Sequence, residues 1–95
     1  MRRYTIVQTK SFRKDILRLE KSAYNLTQLQ RAIDILESGE LLPENYRDHK
    51  LKGGMYGYRA CHIAPDWLLV YEKDEGKLVL VLFRTGTHRD VLGVE

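Results

Sequence analysis

The sequence predicts an α+β domain of order β-α-α-β-β-β, a helical hairpin packed on a small antiparallel sheet. Three observations carry that prediction. A short β-branched run opens the chain, two stretches with helical apolar spacing follow, and three apolar runs divided by turn residues close it. Ninety-five residues suffice for one domain with one core, spanning 1–95.

Tyr4-Thr5-Ile6-Val7 has the β-branched and aromatic character of a strand. Ser11 is placed to cap a helix in which Phe12, Ile16 and Leu19 share one face. Asn25 with Gln28 resembles a capping box and opens a second helix. Leu26, Leu29, Ile33 and Leu36 form its apolar stripe, and Gly39 sits where a helix stops. The link Ser22-Ala23-Tyr24 is short, which predicts an antiparallel hairpin of the two helices.

Between 41 and 54, Pro43, Asn45, Asp48 and Gly53-Gly54 predict irregular chain. Strands are expected over about 56–63, 67–73 and 77–84. Ala64-Pro65-Asp66 and Asp74-Glu75-Gly76 supply the turns between them. The last two strands are apolar on both faces, so each face of the sheet needs cover. No repeat, low-complexity tract or domain boundary interrupts the pattern.

With 43% apolar and 31% charged residues, the composition is that of a folded soluble protein and excludes disorder. A lone Cys61 excludes an internal disulfide and a Cys-based zinc site, fits a reducing compartment, and reads as a small buried strand residue. The N-terminal MRRYTIVQTKSFRKD lacks the apolar run of a signal peptide, and no segment is apolar enough to cross a bilayer. The expectation is a soluble cytoplasmic protein without a membrane partner. Net charge is +3 with a pI near 9.1, and Arg2, Arg3, Lys10, Arg13, Lys14, Arg18 and Lys21 crowd the first quarter. That distribution permits a nucleic-acid partner and does not require one.

The chemistry concentrates in GYRACHIAPDWLLVY, residues 57–71. A hairpin needs its Tyr, Ile, Leu and Val to pack; it does not need Arg59, His62, Asp66 and Trp67. The other two histidines, His49 and His88, lie in the loop before the strands and just after the last one. A meander turns the ends of its first and third strands the same way, which would bring His62 and His88 to one edge beside Asp66. Imidazoles can accept and donate protons near neutral pH, and a guanidinium such as Arg59 suits phosphate. Trp67 serves either as a stacking surface for an unpaired base or as core beside Leu68-Leu69. Asp66 after Pro65 is also a natural turn residue, and His49 in a loop also suits a solvated surface. One conflict stands out: Arg59 and His62 are three apart, so a regular strand points them to opposite faces unless it is bulged. Spacings of thirteen and twenty-six residues between the histidines match no compact metal motif, so no metal and no cofactor is expected.

The run DHKLKGGMYGYRACHIAPDWLLVY, followed by RTGTH, closely resembles the YafQ-like toxins of the RelE/ParE superfamily. The resemblance is most specific from Asp48 to His88. It implies the microbial RNase fold and the toxin of a type II toxin–antitoxin pair, an endoribonuclease that cuts mRNA in the ribosomal A site without a metal. It also implies a catalytic set at His49, His62, Asp66 and His88, with Trp67 beside them and Lys50, Lys52 and Arg59 on RNA phosphates. The implied partner is a cognate antitoxin of ribbon-helix-helix type with an acidic tail, through which the complex would reach operator DNA. One departure is Leu92, where these toxins commonly carry a Phe on the substrate side. A ParE-like gyrase inhibitor of the same fold, which needs no acid–base cluster, is the alternative reading, as is a silent RNA-binding member.

Overall fold

A computed structural model describes residues 3–55 and 57–92, so Arg2 and Tyr56 lie outside the described residues. The order is β1 (Thr5–Gln8), α1 (Lys10–Lys21), α2 (Leu26–Ser38), β2 (His49–Lys50), β3 (Arg59–Ala64), β4 (Trp67–Asp74), β5 (Val79–Gly86) and α3 (His88–Leu92). Single 3-10 turns at Glu44–Tyr46 and Gly53–Met55 flank β2. The expected β-α-α-β-β-β core is there, extended by a two-residue strand and a five-residue helix too short to show a period in sequence.

The strands form one sheet in the order β1-β5-β4-β3-β2. All pairings are antiparallel except β1 with β5, which run parallel, so the sheet is mixed where an antiparallel one was expected. The reason is topological: β1 starts the chain and β5 ends the meander, and the helices provide the crossover that parallel neighbours require.

Local chemistry sets the helix ends. Thr9, not Ser11, caps α1: its Oγ1 accepts the Phe12 N–H at 3.0 Å and donates to the Phe83 carbonyl at 2.7 Å. One hydroxyl thus starts the helix and ties it to β5, while Ser11 lies inside the first turn. Asn25 caps α2 as expected, its Oδ1 accepting the Thr27 N–H at 3.0 Å. Gly39 ends that helix at φ 89°, a left-handed conformation that glycine adopts without strain.

The main core lies between the helices and one face of the sheet: Phe12, Leu19, Leu29, Ile33 and Leu36 pack on Cys61, Trp67, Leu69, Tyr71, Leu80 and Leu82. Fully buried Cys61 has its thiol pushed up to about 12, first by burial, so it is a packing residue with no reactive thiolate. A smaller cluster of Ala60, Leu68, Val70 and Val91 covers part of the other face, with Tyr58 and Phe83 stacked at 4.6 Å and Leu92 partly buried against it. Among the described residues, α3 is the one helix on that second face, where Leu51 and Tyr58 add cover, and the face is less thickly covered than the helix side.

A buried carboxylate braces the end of β5. Asp15 of α1, 1% exposed, accepts from Arg84 Nε at 2.7 Å and Nη2 at 3.2 Å, and from the Thr85 N–H at 3.0 Å. Thr85 Oγ1 in turn accepts the Trp67 indole N–H at 2.9 Å and donates to the Leu68 carbonyl at 2.8 Å. This chain of bonds fixes α1, β4 and β5 relative to one another just before His88.

Candidate active site

Strand parity decides which residues can meet. Along β3, Cys61 points into the helix-side core and Ala60 into the opposite cluster, so Arg59 shares the helix side and His62 the open side. A bulge does occur in β3, at Ile63, but it follows His62 and leaves the Arg59–His62 separation untouched. In β2, His49 pairs with Ala60 and Lys50 with Arg59, which puts His49 on the His62 face and Lys50 on the other.

The open face collects the histidines. The His62 ring centroid lies 6.3 Å from that of His49 and 5.4 Å from that of His88. His88 opens α3, its first turn fixed by Thr87 Oγ1 accepting the Asp90 N–H at 3.1 Å. From the β3–β4 turn, Asp66 accepts from His88 Nδ1 at 2.9 Å and from the His88 backbone N–H at 3.3 Å. Those two bonds, the side-chain one first, hold the Asp66 carboxyl below the usual carboxylate range. The expected juxtaposition of His62, Asp66 and His88 is therefore present, and His49 completes it.

Hydrogen-bond partners fix the tautomers. A carbonyl only accepts, so His49 Nδ1, 2.8 Å from the Arg47 carbonyl, carries a proton and leaves Nε2 with a lone pair when the ring is neutral. His88 Nδ1 likewise donates to the Asp66 carboxylate, which leaves Nε2 as the ring nitrogen not engaged by Asp66. His62 differs from both. Its Nδ1 is buried without a hydrogen-bond partner among the described residues. Burial first, then the charges of His88, Arg47 and His49, lower its proton affinity against an opposing backbone hydrogen bond with Tyr46. One ring kept neutral beside one backed by a carboxylate is a division suited to base and acid.

Three expected substrate contacts are placed differently. Arg59 is held in a forked ion pair with Asp48, Nη2 to Oδ2 at 2.8 Å and Nε to Oδ2 at 3.1 Å, and Asp48 also accepts the Tyr71 hydroxyl. That carboxylate raises the Arg59 pKa, while burial, then Asp48, raises that of Tyr71. Arg59 and Lys50 line a separate cleft of about 690 Å³ on the helix side, away from the imidazoles. Trp67 is 3% exposed, bonded to Thr85 and met edge-on by Tyr24 at 5.0 Å, so it is a core strut and offers no stacking face. Leu92, the last residue of α3, packs against the second cluster, and Lys52 is exposed just beyond β2.

Residues that sequence reasoning missed lie beside His62. A cleft of about 480 Å³ runs from it between α2 and the 44–46 turn, lined by Gln28, Arg31, Asn45, Tyr46 and Arg47 together with Pro65. Gln28 and Arg31, three apart, share the polar face of α2, a visible but unspecific signal. Arg47 sits at φ 49°, a conformation with no signature in the residue itself. Among the described residues, no cluster of His, Cys, Asp and Glu is arranged to hold a metal ion.

The family of this chain follows from comparison with known proteins. A family model described as "Bacterial toxin of type II toxin-antitoxin system, YafQ" matches residues 4–93. The mRNA interferase toxin YafQ of Escherichia coli K12 is 35% identical over 83 residues, 86% of this chain and 88% of that protein. The toxin in the E. coli DinJ-YafQ complex superposes with a TM-score of 0.86 at 32% identity, covering 95% of this chain and 99% of that one. A metal-bound toxin from Helicobacter pylori is similarly alike, with a TM-score of 0.86 and 38% identity over 93% of this chain and 98% of that one. The chain belongs to the YafQ toxins of bacterial type II toxin–antitoxin systems.

Proposed function

We propose that this chain is an endoribonuclease that arrests growth by cutting mRNA, with His49, His62, Asp66 and His88 as its catalytic group. The observation that carries this reading is the open sheet face on which His62 lies next to both other imidazoles while Asp66 holds His88. A YafQ relative named as an mRNA interferase supports the substrate class.

In the proposed reaction the ribose 2′-OH attacks its own 3′ phosphorus, and His62, kept neutral by burial, takes the hydroxyl proton. The 2′-O–P bond forms as the P–O5′ bond breaks. His88, oriented through Nδ1 by Asp66, gives the proton from Nε2 to the leaving O5′. The products are a 2′,3′-cyclic phosphate and a 5′-hydroxyl. His49 either donates from a protonated Nε2 to a phosphate oxygen or, with Nε2 unprotonated, takes the base role in place of His62. The proposal needs no metal or cofactor. By analogy with the DinJ-YafQ complex, the partner is a cognate antitoxin; the family resemblance extends this to a ribbon-helix-helix type through which the complex reaches operator DNA. The site of action is mRNA in the ribosomal A site, in the cytoplasm.

Primer extension on a reporter message in a translating extract tests the reading, with wild type beside His88→Ala. Discrete cuts with wild type, absent with the variant, are expected. Growth arrest without any cleavage would overturn the nuclease assignment and favour inhibition of a gyrase-like target.

A further inference from the structure

Most of the arginines in this fold are already engaged. Arg59 pairs with Asp48, Arg84 and Arg18 pair with Asp15, and Arg18 also reaches Asp90 at 3.7 Å. Arg3 lies over the Tyr4 ring, and Arg13 approaches the Gln8 carbonyl at 3.5 Å. Arg31 and Arg47 are different: among the described residues, neither guanidinium has an ion-pair or hydrogen-bond partner, and both residues are exposed. Both line the same cleft, and that cleft ends on His62.

Two unpaired guanidiniums converging on a groove are a recognition element for an anion. They carry five donors each in a planar fork, and leaving them unneutralised favours a partner that brings negative charge. The rest of the lining fits a nucleic-acid strand: Gln28 and Asn45 present amides that donate and accept. Among the described residues, no acidic one lines the groove. Arg47 is also fixed at both ends of its backbone, its N–H donating to the Glu44 carbonyl at 2.9 Å and its carbonyl holding His49 Nδ1 at 2.8 Å. The side chain therefore starts from a point rigidly tied to the catalytic face, as a positioning element should. On the opposite side of the sheet Arg59 is neutralised by Asp48, and the cleft it lines with Lys50 also carries Glu40, Glu72, Asp74 and Glu75, a lining less suited to phosphate.

We propose that Arg31 and Arg47 form a phosphodiester subsite that grips the RNA strand one or two nucleotides from the scissile bond and feeds it onto the His62 face. This deepens the nuclease reading and rests on it. The ligand is the RNA backbone, so the subsite contributes affinity and register and leaves base selection to other groups.

The test is binding of wild type, Arg31→Gln, Arg47→Gln and Lys77→Gln to a short single-stranded RNA with 2′-O-methyl riboses, which lack the attacking hydroxyl. A parallel arm measures binding to vacant ribosomes, and primer extension is run on the wild type. Lys77 is exposed in the β4–β5 turn, so its variant matches the charge change without touching the cleft. Each arginine variant is expected to weaken oligonucleotide binding roughly five- to tenfold. Each should also reduce the slope of log affinity against log salt by about 0.7, the value for one single-strand phosphate contact. Lys77→Gln should do neither. Wild-type-like binding by both arginine variants, in a protein that still cuts mRNA, overturns the subsite and leaves the nuclease reading intact. A loss confined to vacant ribosomes reassigns the phosphates to ribosomal RNA and overturns the message-strand proposal. A wild type that neither binds nor cuts RNA removes both.

Discussion

Replacing Asp15 with Ala tests the brace that fixes the end of β5 just before His88. The carboxylate is 1% exposed and accepts from Arg84 Nε, Arg84 Nη2 and the Thr85 N–H at 2.7, 3.2 and 3.0 Å. Its removal strands the buried Thr85 N–H, which costs about 1–3 kcal/mol. Breaking a fully buried ion pair costs about 3–5 kcal/mol, but the Arg84 side chain is 27% exposed and recovers hydration, so only part of that applies. The Arg18 contact adds little, because its side chain is 47% exposed. The sum is about 3 kcal/mol, which for a domain of this size lowers Tm by about 12–24 °C. Urea unfolding followed by circular dichroism, in a His88→Ala background that spares the host, measures it. A loss below about 1 kcal/mol would refute the claim that this carboxylate braces the fold.

Four further outcomes follow from the geometry. Trp67→Phe should cost about 1–2 kcal/mol through the lost bond to Thr85 and leave RNA affinity unchanged; weaker RNA binding at full stability would restore a stacking role. Asp66 has a folded pKa depressed by His88, so its contact with that ring persists above the unfolded carboxyl value of about 3.9 and is lost as pH falls through the lower folded value. A carbon-detected NMR titration of the Asp66 carboxyl should show a midpoint below about 3.9, and a midpoint at or above it contradicts the assignment. For His62 the sign is the same, in a higher pH window: its lowered folded pKa leaves the unfolded chain binding more protons, so stability is unaffected above about 6.5 and declines as pH falls below it. His62→Gln should flatten that decline, measured as the pH dependence of the urea midpoint. EDTA should leave cleavage rate unchanged, and loss of activity restored by a divalent ion would replace the acid–base scheme with metal catalysis.

Much of the fold is written locally. Asn25 and Gly39 mark the ends of α2 because an amide side chain satisfies an orphan N–H and only glycine enters a left-handed turn freely. The helical stripes, the turn residues around Pro65 and Gly76, and the doubly apolar last strands all carry their meaning within a few positions. Even the buried acid left a trace, since Asp15 falls on the face shared by Phe12 and Leu19. His49, His62, Asp66 and His88 were legible as a group because their chemistry is unusual for a hairpin and their pattern resembles a family.

What the sequence by itself determined is the kind and order of elements and the reactive side chains at one corner of the sheet. The tertiary structure decided which face each residue joins. Alternation tells that Arg59 and His62 oppose one another, but only the helices packed on one side make Arg59 the partner of Asp48 and leave His62 open. The same placement turned Trp67 from a candidate stacking surface into a strut and gave Arg31 and Arg47, sixteen positions apart, one shared cleft. Pairing between distant residues, such as Asp15 with Arg84 across 69 positions, depends on packing geometry, and that geometry has no local signature.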